Sequence, residues 1–80
     1  MKNLNYELSE YIKLLRFKSK LSQEETASKL KITRQCYANW ENNPIKLDLD
    51  KLEKIGKVFN SDIFIFFNEY VAESNQQSID

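Results

Sequence analysis

Across all eighty residues there is one glycine, Gly56, and one proline, Pro44. Sheet proteins need turn formers at every reversal of the chain. A chain with two such residues must be built from longer continuous elements, and the apolar spacing makes these helices. Leu4, Leu8, Ile12 and Leu15 step by four, four and three, which predicts a helix over about 5–18. Ser22 followed by Glu25 forms a capping box that starts a second helix, with Ala27 and Leu30 on its buried side. Lys31 and Ile32 make a tight turn. Thr33 caps a third helix with Tyr37 and Trp40 on one face. That helix ends near Asn42-Asn43-Pro44, because Asn tolerates the left-handed conformation and Pro resists continuation. Asp48 caps a fourth helix with Leu49, Leu52, Ile55 and Phe59 on its apolar face, stopped by Asn60. The run Ile63–Phe67 has β propensity, yet Ser61 and Asp62 are caps. Ile63, Phe66, Phe67, Tyr70 and Val71 also keep helical spacing, which predicts a fifth helix over about 62–73. The expected fold is all-α: one five-helix domain over 1–73 and a polar, frayed tail over 74–80.

Several function classes fall away on composition. There is no His and only one Cys, so neither a Cys/His zinc site nor a Ser-His-Asp or Cys-His centre can form in one chain. A lone Cys makes no internal disulfide and fits a reducing, cytoplasmic setting. The longest apolar run, Ile63–Phe67, is far short of the roughly 20 residues of a membrane helix. Met1–Glu10 carries no apolar block of the signal-peptide kind. A single Gly rules out a glycine-rich phosphate loop. The expectation is a chain that is not an enzyme and needs no cofactor or metal.

The balance of twelve basic and twelve acidic residues hides a division along the chain. Residues 11–47 hold eight basic against three acidic side chains, a net of +5. Residues 61–80 hold four acidic side chains and no basic one, a net of −4. A basic middle suits an anionic partner. Charge alone also fits an ordinary solvated helical surface.

Two short helices joined by a tight turn inside a basic all-α domain suggest a helix-turn-helix, over about 22–42. With Ile32, Tyr37 and Trp40 buried between helices, Arg34, Gln35 and Asn39 are left on another face of the third helix. Arg34 and Gln35 lie in its first turn, the part that meets base edges in the major groove. Arg pairs bidentately with guanine, and Gln and Asn pair with adenine.

The stretch Leu21-Ser22-Gln23-Glu24-Glu25, through Thr33-Arg34-Gln35 to Trp40-Glu41-Asn42, resembles the lambda-repressor-like (Cro-type, XRE) helix-turn-helix family, and the likeness runs from about Leu8 to Phe67. The resemblance implies a compact five-helix bundle whose second and third helices form the motif. It implies base reading by Arg34, Gln35 and Asn39, and contacts to the DNA backbone by Gln23, Thr33, Asn42 and Lys46. It also implies an internal ion pair between Arg16 and Glu41. The chain departs from the family pattern at Lys31 and Asn43, where Gly is common, so a locally different turn is expected at Lys31. Tyr37 stands where Ile or Val is common. Phe64 and Ile65 stand where relatives often carry Asp and Glu; both are expected to point away from the core and to form a dimer contact. Cys36 is expected to be a small buried residue packing toward the second helix.

The leading expectation is a sequence-specific DNA-binding regulator, a repressor of phage, mobile-element or bacterial origin that reads a palindromic operator as a homodimer. One alternative is the antitoxin of a toxin–antitoxin pair. Another is a protein-interaction module that has lost DNA. The expected partners are double-stranded DNA, a second copy of the chain, and a protein such as a toxin or antirepressor.

Overall fold

The computed structural model describes residues 3–78, with side chains through residue 72. Among the described residues there are five α-helices and no strand: α1 (Leu4–Lys18), α2 (Gln23–Leu30), α3 (Arg34–Asn42), α4 (Leu49–Val58) and α5 (Phe64–Ser78), with a 3-10 turn at Pro44–Lys46 before α4.

Each of the first four helices starts where a side chain satisfies a free backbone N–H. Asn3 accepts from Tyr6 N, Ser22 Oγ from Glu25 N, Thr33 Oγ1 from Cys36 N and Asp48 Oδ1 from Lys51 N, at 2.9–3.1 Å. At Ser22 the box is complete, because Glu25 Oε1 accepts in return from Ser22 N at 2.9 Å.

Three helices end in the same way, with a left-handed residue and a backbone bond reaching back five positions. The left-handed residues are Lys20 (φ 59°), Lys31 (φ 60°) and Asn60 (φ 55°). The bonds are Leu21 N to Arg16 O at 3.2 Å, Ile32 N to Ala27 O at 3.0 Å and Ser61 N to Gly56 O at 2.9 Å. These are Schellman caps, which usually place Gly at the left-handed residue. The departure expected at Lys31 therefore does not occur. The turn keeps its geometry and Lys adopts it, at a cost of about 1–2 kcal/mol. Asn43 differs from expectation as well. It lies at φ −132° rather than in the left-handed region, and Pro44 diverts the chain into the 3-10 turn.

The core is formed by Leu8, Ile12 and Leu15 of α1, Ala27 of α2, Tyr37 of α3, Leu52 and Ile55 of α4, then Phe59 and Ile63. Ile32 and Trp40 pack against it half-buried. Gly56 allows the end of α4 to close on the following turn: a Cβ there would lie 2.7 Å from Ser61 O. Leu49 is 69% exposed, contrary to its expected place on the apolar face. It stands in the first turn of α4, at the edge of the stripe, where no neighbouring element covers it.

The fifth helix begins later and runs further than its expected span. Asp62 Oδ1 accepts from Phe64 N at 3.0 Å, which leaves Asp62 and Ile63 in the turn. No Gly or Pro follows to stop the helix. Of the expected polar tail, residues 74–78 carry helical backbone, and 79 and 80 lie outside the described residues. Ile65 is exposed, as its outward placement requires. Phe64 is not turned fully away: it is half-buried against the core, with its ring 6.3 Å from that of Phe67. Val71, expected on the inner face, is exposed because it lies beyond the turns of α5 that reach the core.

Candidate nucleic-acid interface

α3 is held from below by one buried carboxylate. Glu41 is fully buried and accepts from four donors belonging to three helices. Arg16 Nε donates to Oε2 at 2.7 Å and Arg16 Nη2 to Oε1 at 3.3 Å. Tyr37 Oη donates to Oε2 at 2.7 Å, and Gln23 Nε2 to Oε1 at 3.1 Å. Burial alone would raise the Glu41 pKa. The bonds from Arg16, Tyr37 and Gln23 outweigh it, so the carboxyl sits below its ordinary value and stays ionised. Burial first, and then the bond to Glu41, push the Tyr37 phenol well above its ordinary value, so it remains a donor. The bond to Glu41 raises Arg16 further. Arg16 also donates from Nη1 to Leu21 O at 3.1 Å, which ties the turn before α2 into the same cluster.

Above this cluster lie the side chains expected to meet DNA. Arg34, Gln35 and Asn39 are all exposed on α3. Gln35 Nε2 donates to Asn39 Oδ1 at 3.3 Å, one helical turn on, so the two amides present a joined set of donors and acceptors. Arg34 Nη1 reaches back to Gln23 Oε1 at 3.4 Å. Gln23 is half-buried at the start of α2, between Glu41 and Arg34. A carboxylate only accepts, so the Gln23 amide nitrogen must face Glu41 and its oxygen must face Arg34. One N–H of that amide remains beyond these bonds. Thr33, Asn42 and Lys46 are exposed around the same helix, with Thr33 Oγ1 already serving the helix cap. Cys36 is half-buried rather than enclosed, and is a free thiol.

Two residues that the sequence reading passed over also fix α3. Ser9 Oγ donates to Glu41 O at 2.7 Å in a buried bond. Asn5 Nδ2 donates to Asn42 O at 3.3 Å, while Asn5 Oδ1 accepts from Ile45 N at 3.1 Å, so α1 grips both the end of α3 and the following turn. The available signal was Ser9 beside Leu8 on the apolar side of α1, a small polar residue that needs a partner when buried.

A short pair of helices joined by a left-handed turn, with the second helix presenting amide and guanidinium groups outward, defines a helix-turn-helix DNA-binding domain. A family described as helix-turn-helix matches residues 12–66, and the chain belongs to it, in its lambda-repressor-like (XRE) form. It is accordingly a DNA-binding transcription regulator of that type. No curated protein and no solved structure gives a match. Among the described residues, no helix is long and apolar enough to cross a membrane.

Proposed function

We propose that the protein is a sequence-specific repressor that reads a palindromic operator as a homodimer, with α3 in the major groove. Arg34, Gln35 and Asn39 read bases. Gln23, Thr33, Asn42 and Lys46 hold the backbone, and helix N-termini add N–H donors suited to phosphate oxygens. The observation that supports this most is the exposed set Arg34, Gln35 and Asn39 on a helix anchored through buried Glu41. Two-fold pairing doubles the few base contacts of one small module and sets the two α3 helices about 34 Å apart. Exposed Ile65 and the open edge of Phe64 on α5 are the contact proposed for this dimer.

Selection of bound fragments from a random double-stranded pool tests the reading. Enrichment of an inverted repeat, with binding that weakens steeply as salt rises, is the expected result. No enrichment, or binding insensitive to salt, refutes it. A second reading, an antitoxin, draws on exposed Ile65 and Val71 in α5. Stable co-purification with a small basic toxin encoded next door would favour it.

A further inference from the structure

α1 carries an outer face that neither the core nor the DNA-reading surface uses. Tyr6, Glu10, Lys13 and Phe17 recur at spacings of four, three and four, and Leu14 flanks them. Tyr6 is 62% exposed, Leu14 48% and Phe17 65%. A shallow cleft lies between Glu10, Lys13, Leu14 and Phe17. The Phe17 ring is not loose on this surface. The Arg16 guanidinium stacks over it, 4.9 Å from its centroid, while Arg16 itself is tied to buried Glu41.

The order of residues along this face is what selects a partner. Tyr6 and Phe17 are equidistant from a point midway between Tyr11 and Ile12, and so are Glu10 and Lys13. We infer that this face binds the same face of a second copy, with the two α1 helices antiparallel about a two-fold axis that runs between them, level with that point. Tyr6 then meets the partner's Phe17, and Phe17 the partner's Tyr6. Glu10 and Lys13, 3.4 Å apart within one chain, meet the partner's Lys13 and Glu10 and close a ring of alternating charge. A stripe that is self-complementary in both ring and charge is the requirement for an isologous contact.

The contact is small. Five side chains stand against about 20–30 residues a side in a stable interface. It therefore forms weakly between free molecules and strongly between copies held close together, as on neighbouring DNA sites. It is separate from the α5 contact and does not depend on the reading of bases.

Amide NMR spectra of the full chain, followed from millimolar to micromolar concentration, test the inference, with Glu10→Lys, Lys13→Glu and the double exchange as variants. Glu10 is exposed and Lys13 half-buried, neither in the core, and thermal melts verify that each variant folds. Dilution is expected to shift Tyr6, Glu10, Lys13, Leu14 and Phe17. Either single reversal sets like charges across the axis twice and should weaken association about tenfold. The double exchange restores alternating charge and should recover it. Shifts confined to α5, no association at millimolar concentration, or a double exchange as weak as the singles would each overturn the inference. DNA selection would be untouched by these outcomes, so the two proposals fail separately.

Discussion

Arg16 and Glu41 are 25 residues apart in sequence, and their side chains meet at 2.7 Å with the carboxylate fully buried. A buried ion pair is retained only when further bonds offset the loss of water. Here Tyr37 and Gln23 supply those bonds, and the cluster joins α1, α2 and α3 at the point where the recognition helix must be held still.

Glu41→Gln keeps the volume and removes the charge, which strands Arg16 in a site 11% exposed. A loss of about 3–5 kcal/mol in urea unfolding is expected. A loss below about 1 kcal/mol would mean that the pair behaves like a surface pair.

The acid side of the stability curve should carry the same signature. The Glu41 pKa is depressed in the folded state, so its contribution is present above the unfolded value of about 4.5 and is lost as pH falls through the folded one. The exposed cap residues Glu25 and Asp48, held low first by bonds from the backbone N–H groups of Ser22 and Lys51, act in the same direction. Melts of the wild type between pH 7 and 2, as a rough span for carboxylates, should fall steeply. Glu41→Gln should retain only the shallower part. At the alkaline end the sign reverses: the raised Tyr37 pKa gives stability that is present below 10.0 and lost above it.

Lys31 holds φ 60° at a position that glycine occupies without strain. Lys31→Gly relieves that strain but adds freedom to the unfolded chain, so a net gain of up to about 1 kcal/mol is expected. A higher melting temperature with an unchanged circular dichroism spectrum is the check. A lower one would show that the Lys31 stem contributes packing.

Gly56→Ala should act in the other direction. Its Cβ meets Ser61 O, a backbone atom in a hydrogen-bonded turn that cannot swing aside. Destabilisation of about 1–3 kcal/mol is expected from denaturant melts. Wild-type stability would mean that the end of α4 relaxes freely.

Arg34→Ala should lower affinity for the selected operator and relax preference at one base pair per half-site, by about 1–3 kcal/mol of discrimination. Gln23→Ala should weaken binding to all sequences alike if Gln23 holds the DNA backbone as proposed. It should also free Arg34, whose guanidinium donates to the Gln23 amide. Binding titrations against the operator and its single-base variants separate the two. Identical preference in Arg34→Ala and wild type would remove Arg34 from the reading set.

Sequence alone carried the starts of α2, α3 and α4, the motif and the ion pair. Ser22 with Glu25, Thr33 and Asp48 act on N–H groups within three residues, so no distant contact is needed to decode them. Arg16 with Glu41 became legible only through the family likeness, since nothing local joins two residues so far apart. Tertiary structure decided the rest. Lys31 took a strained conformation because the bond from Ile32 N to Ala27 O and the packing of α2 on α3 hold the turn. Leu49 and Val71 kept the right spacing for burial but had no neighbour to bury them. Gln23 acquired its orientation from a carboxylate on another helix, and Asn5 and Ser9 their tasks from a carbonyl brought near by packing. Capping is settled by backbone atoms a few bonds away. Side-chain surroundings depend on how the helices dock, which no local pattern encodes.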